Sequence, residues 1–600
     1  MNSKAIPNRS QIEESDKWNI KKVYESIEQW QKDYSEIEKM IEKYDSLKGT
    51  AGNSVNKCLE LIEFDLEVSR KIDKVYLYAH LLNDQDKTND SGETLYQRAV
   101  TLFTKISEKS SFIVPEIQSL DDEILEKYLE SQELTQYRFY LEKIIRFKPH
   151  TLPKESEEIL AMSGEVFSTA GKIFSQLDNA DLRFGDIVNG KGENIELSHG
   201  NFISLLHDCD AAVRKNAFHQ YYDAYDNHKY TLASSLSFSV KKDWLKARLR
   251  KYSSCREAAL FTDNVPIAVY DNLIESVKKS GDVIKRYMSL RKKALNVKEL
   301  HFYDTYVPII NDVDFCMGYK EAVETCVAAV SPLGADYASI MKEGLLGGWV
   351  DRYENRGKRS GAYSSGCYDS DPYILMNYDK TNINSLYTLM HEAGHSMHSY
   401  FSRQKQPYVY SDYTIFVAEV ASTFNETLLS DYLLKKYADN KKMKAYILNR
   451  EIDNIRGTLF RQTMFAEFEH LSHAEVEKGN PLTIDKFREI YRGLLEEYFG
   501  DSIVIDDTLE LECLRIPHFY SAFYVYKYAT GISAAVSLAS GVLQGKQGAC
   551  DNYRQFLTLG GSMYPIEELK VAGVDMSRPD AVNSTLSRFK ELVLEMESLI

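Results

Sequence analysis

The stretch Thr381-Asn382-Ile383-Asn-Ser-Leu386-Tyr-Thr-Leu389-Met390-His391-Glu392-Ala393-Gly394-His395-Ser-Met397 decides how this chain is read. Ile383, Leu386, Leu389, Met390, Ala393 and Met397 recur at spacings of three and four, the period of an amphipathic helix. Thr381-Asn382 stands ahead of them as an N-cap. On such a helix His391 and His395 lie one turn apart on one face. Their imidazoles can converge on one tetrahedral zinc ion. Glu392 points beside them, where its carboxylate can reach a zinc-bound water as general base. The chain holds 13 histidines in 600 residues, so a chance HExxH is uncommon.

A catalytic zinc takes a third protein ligand and keeps one position open. Glu419 lies in Ile415-Phe-Val-Ala-Glu-Val-Ala-Ser-Thr-Phe-Asn-Glu426, which reads as a second helix. The rival is His398, near the same face as His395 but two turns from His391. At a rise of ~1.5 Å per residue that is about 10 Å along the axis, too far for bonds of about 2 Å. Glu419 is the expected third ligand. A ligand histidine usually donates its other N–H to an acceptor behind it. Ser422, Thr423 and Glu426 all qualify.

The remainder of the chain has the same helical texture, with sparse glycine (30) and proline (13). In residues 19–48, Ile20, Val23, Tyr24, Ile27, Trp30, Tyr34, Ile37, Met40 and Ile41 form an apolar stripe that reads as core packing. No repeat of fixed period is present, which disfavours a solenoid. Strand signals are few. Leu182–Val188 and Asn194–Ser198 flank Asn189-Gly190-Lys191-Gly192 as a hairpin. A glycine-rich loop, Gly357 to Gly366, leads into the β-prone run Pro372–Tyr378. The expected divisions are a helical region over 1–115, a smaller helical domain over 116–200 ending in the hairpin, and a main body over 201–600.

Composition bounds the partners. Hydrophobic residues are 44% and charged residues 27%, ordinary for a globular chain. The net charge of −16 argues against nucleic acid or an anionic membrane as the main partner. The basic cluster Lys241, Lys242, Lys246, Arg248, Arg250 and Lys251 reads as a solvated helix face. Eight scattered cysteines without a CxxC pair, no apolar leader over residues 1–18 and no run of 18 apolar residues together predict a cytoplasmic location.

Beyond the HExxH, an ordered set of segments carries a resemblance. They are Lys17-Trp18, Ala259-Leu-Phe-Thr-Asp-Asn-Val-Pro266, Gly361-Ala-Tyr363, Ile374-Leu-Met-Asn377, Glu419 to Glu426, and Ile516-Pro-His-Phe-Tyr520 through Tyr528-Ala-Thr-Gly531. Over essentially its whole length the chain resembles the oligoendopeptidase F group of the thimet-oligopeptidase-like M3 zinc peptidases. The resemblance implies a mostly α, two-lobed helical body around a deep channel, with a small sheet or hairpin near the active site. It implies one zinc ion per chain held by His391, His395 and Glu419, and Glu392 as general base. It also implies oxyanion stabilisation by His518 with late tyrosines, Tyr526 and Tyr528 fitting best. Short oligopeptides are the implied substrates. Gly361, Tyr373, Met376 and Tyr524 are the implied substrate contacts, with Tyr373–Tyr378 as an edge strand that pairs with extended peptide. The expected activity is hydrolysis of internal peptide bonds. An exopeptidase on the same metal site, or a non-catalytic peptide-binding scaffold, would share the motif; a blocked internal peptide and zinc stoichiometry separate these readings.

Overall fold

A computed structural model describes residues 5–310 and 313–600. In chain order, the elements that position the functional residues are α1 (Ile27–Met40), α2 (Val55–Asp84), α3 (Asp90–Ser110), β1 (Asp186–Val188), β2 (Asn194–Glu196), α4 (Lys229–Leu249), β3 (Val350–Asp351), β4 (Tyr363–Ser365), β5 (Tyr373–Leu375), α5 (Ile383–Lys405), α6 (Ile415–Lys436), α7 (Gln462–Glu477) and α8 (Tyr526–Leu543). Helices hold about 70% of the residues and strands 3%, so the fold is mostly α.

The chain forms two compact units. The first takes the stretch ending at Thr151, then Asp314–Tyr432 and Leu538–Val574; the second takes Leu152–Val313, Leu433–Ser537 and Asp575–Ile600. The division suggested by sequence texture, with cuts near 115 and 200, is contiguous, whereas these units are interleaved. Contacts distant in sequence account for this. The Asn19 N–H donates to the Gly348 carbonyl at 2.7 Å, and the Tyr373 hydroxyl donates to the Asn19 carbonyl at 3.0 Å.

In the first unit α1 packs on α2, and α2 on α3. The apolar stripe over 19–48 supplies this core: Trp30 and Ile37 are fully buried, and Val23, Tyr24, Tyr34 and Ile41 nearly so. The Trp30 indole N–H donates to the Val75 carbonyl at 2.8 Å, which satisfies its one polar atom. Ile27 stands outside the stripe, 41% exposed, as the first residue of α1 behind the Ser26 cap.

The first unit also holds a three-stranded sheet of order β3-β5-β4, with β5 parallel to β3 and antiparallel to β4. The run Tyr373–Tyr378 is therefore not an edge strand. Both sides of β5 are paired, and Tyr373 and Met376 are buried at 0% and 1% exposure. This removes them as main-chain contacts for a peptide. The glycine-rich loop fixes the sheet through a buried ammonium. Lys358 Nζ meets Asp351 Oδ1 at 2.7 Å, both side chains fully buried. It also donates to the carbonyls of Tyr353 and Met376, each at 2.7 Å. Arg9 Nη1 donates to the same Asp351 oxygen at 2.7 Å.

In the second unit β1 and β2 pair as the expected antiparallel hairpin, Ile187 opposite Ile195. The basic cluster lies on and just after α4, with Lys241, Lys246, Arg248 and Lys251 exposed and Arg250 paired with Glu157. Among the described residues, no helix is long and apolar enough to cross a membrane.

Candidate active site

The α5 helix starts as its sequence requires: the Asn382 side chain accepts the Asn384 N–H at 2.9 Å. His391 and His395 then share one face. At Gly394 the helix meets α6 so closely that a Cβ would stand 2.6 Å from Ser422 Cα and 2.7 Å from the Ala421 carbonyl oxygen. A glycine inside a helix costs roughly 1 kcal/mol relative to alanine; here it admits the second backbone. That approach brings Glu419 to the histidines. His391 Nε2 lies 3.2 Å from His395 Nε2, and Glu419 Oε2 lies 3.3 Å from the first and 3.6 Å from the second.

These separations suit a metal. Ligand atoms at about 2.1 Å from a tetrahedral centre stand about 3.4 Å apart. His391 Nδ1 donates to Glu426 Oε1 at 2.7 Å, and the His395 ring donates to the Ala418 carbonyl. With these outer N–H groups committed, both Nε2 lone pairs point inward, toward a carboxylate oxygen. Three acceptors facing one another repel unless a cation or a proton sits among them. Ser422 Oγ donates to Glu419 Oε2 at 3.1 Å and fixes its rotamer. Glu426 is thus the acceptor behind His391, a choice the sequence leaves open.

The charge balance agrees. Burial opposes protonation of His391, but Glu419 and Glu426 outweigh it and raise its pKa to about 10. Burial and the neighbouring His391 lower His395 to about 4. Burial would raise Glu419, but the two histidines hold it down at about 2. The carboxylates of Glu419 and Glu426 thus favour positive charge at His391 despite the cost of desolvation. His398 takes no part. It is 1% exposed, its ring stacks on Tyr413 at 3.7 Å, and burial lowers its pKa to about 3.

Glu392 is 7% exposed and lies beside the cluster. Burial raises its pKa to about 7; His391 opposes this and Glu419 adds to it. Its carboxylate accepts the backbone N–H of Ser364 in β4. The register explains why that N–H is available. Ile374 and Met376 donate toward β3, to the carbonyls of Trp349 and Asp351 at 2.8 and 3.0 Å. Tyr373 and Leu375 therefore face β4, opposite Ser365 and Tyr363. Ser364, between those two, turns its N–H and C=O off the outer edge. Its hydroxyl meets that of Ser396 in α5 at 2.8 Å, which locks strand to helix. Gly361, at the approach to β4, needs glycine for its φ of +83°, since a Cβ there would meet nothing within 4 Å.

The second unit carries the late aromatic segment. The His518 and Tyr524 rings stack at 6.2 Å, and Tyr528 stands edge-on to them at 6.0 and 5.5 Å. His518 is exposed, and Tyr524 and Tyr528 are half-buried. Tyr526 does not join them. It is 1% exposed and its ring packs on Tyr270 at 5.2 Å. Two residues along a helix is about 200° of rotation, so Tyr526 and Tyr528 face opposite sides.

The sequence profile of peptidase family M3 matches residues 204–588, and that of Oligopeptidase F matches 116–184. The chain belongs to peptidase family M3. It is 44% identical to Oligopeptidase PepF of Bacillus subtilis, over 99% of this chain and 89% of that protein. It is 40% identical to Group B oligopeptidase PepB of Streptococcus agalactiae, over 99% and 98%. The crystal structure of oligoendopeptidase-F from Enterococcus faecium superposes with a TM-score of 0.74 at 37% identity, covering 95% of this chain and 99% of that one. This M3 peptidase is a metallo-endopeptidase of oligopeptides. Among its described residues, His391, His395 and Glu419 are the cluster able to hold a metal ion. Two features of the M3 site escape sequence reading. Gly394 has a signal, a glycine inside a strongly periodic helix; the Ser364 N–H has none, because a backbone group leaves no mark on residue type.

Proposed function

We propose that the metal is zinc, held by His391, His395 and Glu419, and that Glu392 is the general base for hydrolysis of internal bonds in short, unstructured oligopeptides. The convergence of two imidazole nitrogens and one carboxylate oxygen carries this reading, because two histidines and a glutamate form a donor set suited to catalytic zinc. Bound there, zinc supplies Lewis-acid polarisation of the scissile carbonyl and acidifies water.

The chain's own residues do the rest. Glu392, held by the Ser364 N–H, takes a proton from the attacking water and delivers it to the leaving amine. His518 and Tyr528, with Tyr524 stacked against the imidazole, supply donors for the oxyanion; their mutual packing and exposure support the role. Extended peptide pairs through the Ser364 carbonyl on the outer edge of β4, the Ser364 N–H being committed to Glu392; that position beside the base supports this assignment over β5. Main-chain pairing is tolerant of sequence, which suits an oligopeptidase. The cysteines are few and scattered, with no CxxC pair, which supports a cytoplasmic setting.

The test is Glu392→Gln. The amide keeps the shape and cannot take a proton. Zinc content should stay at one per chain while turnover falls at least ~10²-fold. Near-normal turnover with bound metal would remove Glu392 as the base.

A further inference from the structure

Phe523 has φ of +59°, a left-handed backbone that a bulky side chain rarely adopts. It sits in the turn between His518 and the start of α8. Its ring is 3% exposed and is fixed on the core side, 6.0 Å from Tyr270 and 4.8 Å from His473. The next residue, Tyr524, turns outward to His518, and Val525 turns inward again, fully buried. The left-handed residue is what lets Phe523 point in while Tyr524 points out. Relaxing it to negative φ would re-aim Tyr524 and the first turn of α8, which carries Tyr528.

One side chain holds that conformation. Glu469 of α7 accepts the Phe523 N–H on Oε1 at 3.2 Å. Glu469 is 2% exposed, and its Oε2 is buried without a hydrogen-bond partner. One turn on, His473 Nδ1 donates to the Glu469 carbonyl at 2.7 Å, and its ring packs on Phe523. An acid buried with one of its oxygens unmatched is a poor choice for stability, since an apolar residue of similar volume would pack there without loss. Its single bond to a strained turn is what the position offers instead. Burial pushes the pKa of this carboxyl well above the usual range, with Asp243 adding to the shift and the Phe523 N–H opposing it.

We infer that Glu469 is a positioning residue: through Phe523 it sets the orientation of the His518, Tyr524 and Tyr528 group. The inference rests on the proposed oxyanion role of that group. Glu469 touches neither substrate nor metal. It acts as a hydrogen-bond acceptor through Oε1, an oxygen that glutamine keeps and leucine lacks.

The experiment compares Glu469→Leu and Glu469→Gln with His518→Ala and Tyr528→Phe in the zinc-loaded full chain, on one internally quenched peptide. Zinc content, near-UV circular dichroism and Tm are recorded for each. Glu469→Leu should keep its zinc and its fold, keep KM within about twofold, and lose on the order of 10–10²-fold in kcat, the size expected for a misplaced catalytic group. Glu469→Gln should regain most of that loss. His518→Ala and Tyr528→Phe should lose on the order of 10²–10³-fold in kcat. Wild-type kcat in folded Glu469→Leu, beside losses in His518→Ala and Tyr528→Phe, would overturn the positioning role alone. Unchanged kcat in both of those variants would remove the oxyanion reading and the positioning role with it. Equal losses in Glu469→Gln and Glu469→Leu would also overturn the inference, since the amide preserves the acceptor.

Discussion

A Cβ on Gly394 would stand 2.6 Å from the Ser422 Cα, so the α5–α6 crossing has room for glycine and for nothing larger. That crossing sets the distance from Glu419 to the two histidines. Gly394→Ala should push the helices apart by a few tenths of an ångström or more and open the ligand triangle. Zinc affinity, read by titration with a competing chelator, should fall at least tenfold. Unchanged affinity would show that Glu419 reaches the metal without the close approach.

Glu426 holds His391 through Nδ1 at 2.7 Å. Its removal frees the ring to rotate and makes Nε2 a poorer donor. Glu426→Ala should lose about 10–100-fold in metal affinity or activity, the usual effect of an acceptor behind a ligand histidine. His398→Ala should leave metal affinity unchanged, because His398 is stacked away on Tyr413. The reverse ranking would reassign the ligands.

Glu392 gives activity its acid limb. The base works only as the carboxylate, and burial raises its pKa to about 7, with Glu419 adding and His391 opposing. Activity should therefore be lost as pH falls through that value. A metal cation beside it favours the ionised form, so the limb in kcat/KM should lie at or below about 7 and above the ordinary carboxylate range. A profile flat down to pH 4 would exclude Glu392 as the group that titrates.

Asp351 couples pH to stability rather than to chemistry. Burial would raise its pKa, but Arg9 and Lys358 outweigh it, and the folded value lies below the usual 3.8. For an acid with a depressed folded value, the stabilisation is complete above the unfolded pKa and lost as pH falls through the folded one. Thermal stability should drop below about pH 4 for this reason. Asp351→Ala leaves Lys358 buried without its counter-charge and should cost about 3–5 kcal/mol in denaturant unfolding. A cost below 1 kcal/mol would mean that Lys358 finds another partner or loses its proton.

How much of this was legible varies with the kind of signal. The α5 helix, its Asn382 cap and the histidine pair follow from a period of 3.6 and local capping, both written in adjacent residues. The exclusion of His398 follows from helical rise alone. The strand at Tyr373 was legible as a strand, but not as the middle of its sheet. A buried apolar run reads the same whether its partners lie on one side or both, and β3 is two residues long. The choice of Glu426 over Ser422 and Thr423 depends on how α6 crosses α5, a tertiary fact. Tyr526 and Tyr528 must face opposite ways on a helix, but only packing on Tyr270 says which one is the core residue. The interleaved units rest on contacts such as Asn19 with Gly348, which no local pattern records.

The central claim is metal-dependent cleavage inside a peptide chain. The most direct measurement is mass analysis of products from a short peptide blocked at both ends, incubated with the enzyme as purified, after exhaustive chelation, and after zinc is restored. Internal cleavage should be present, abolished and regained in that order. Undiminished internal cleavage by a sample verified to be metal-free would contradict the account.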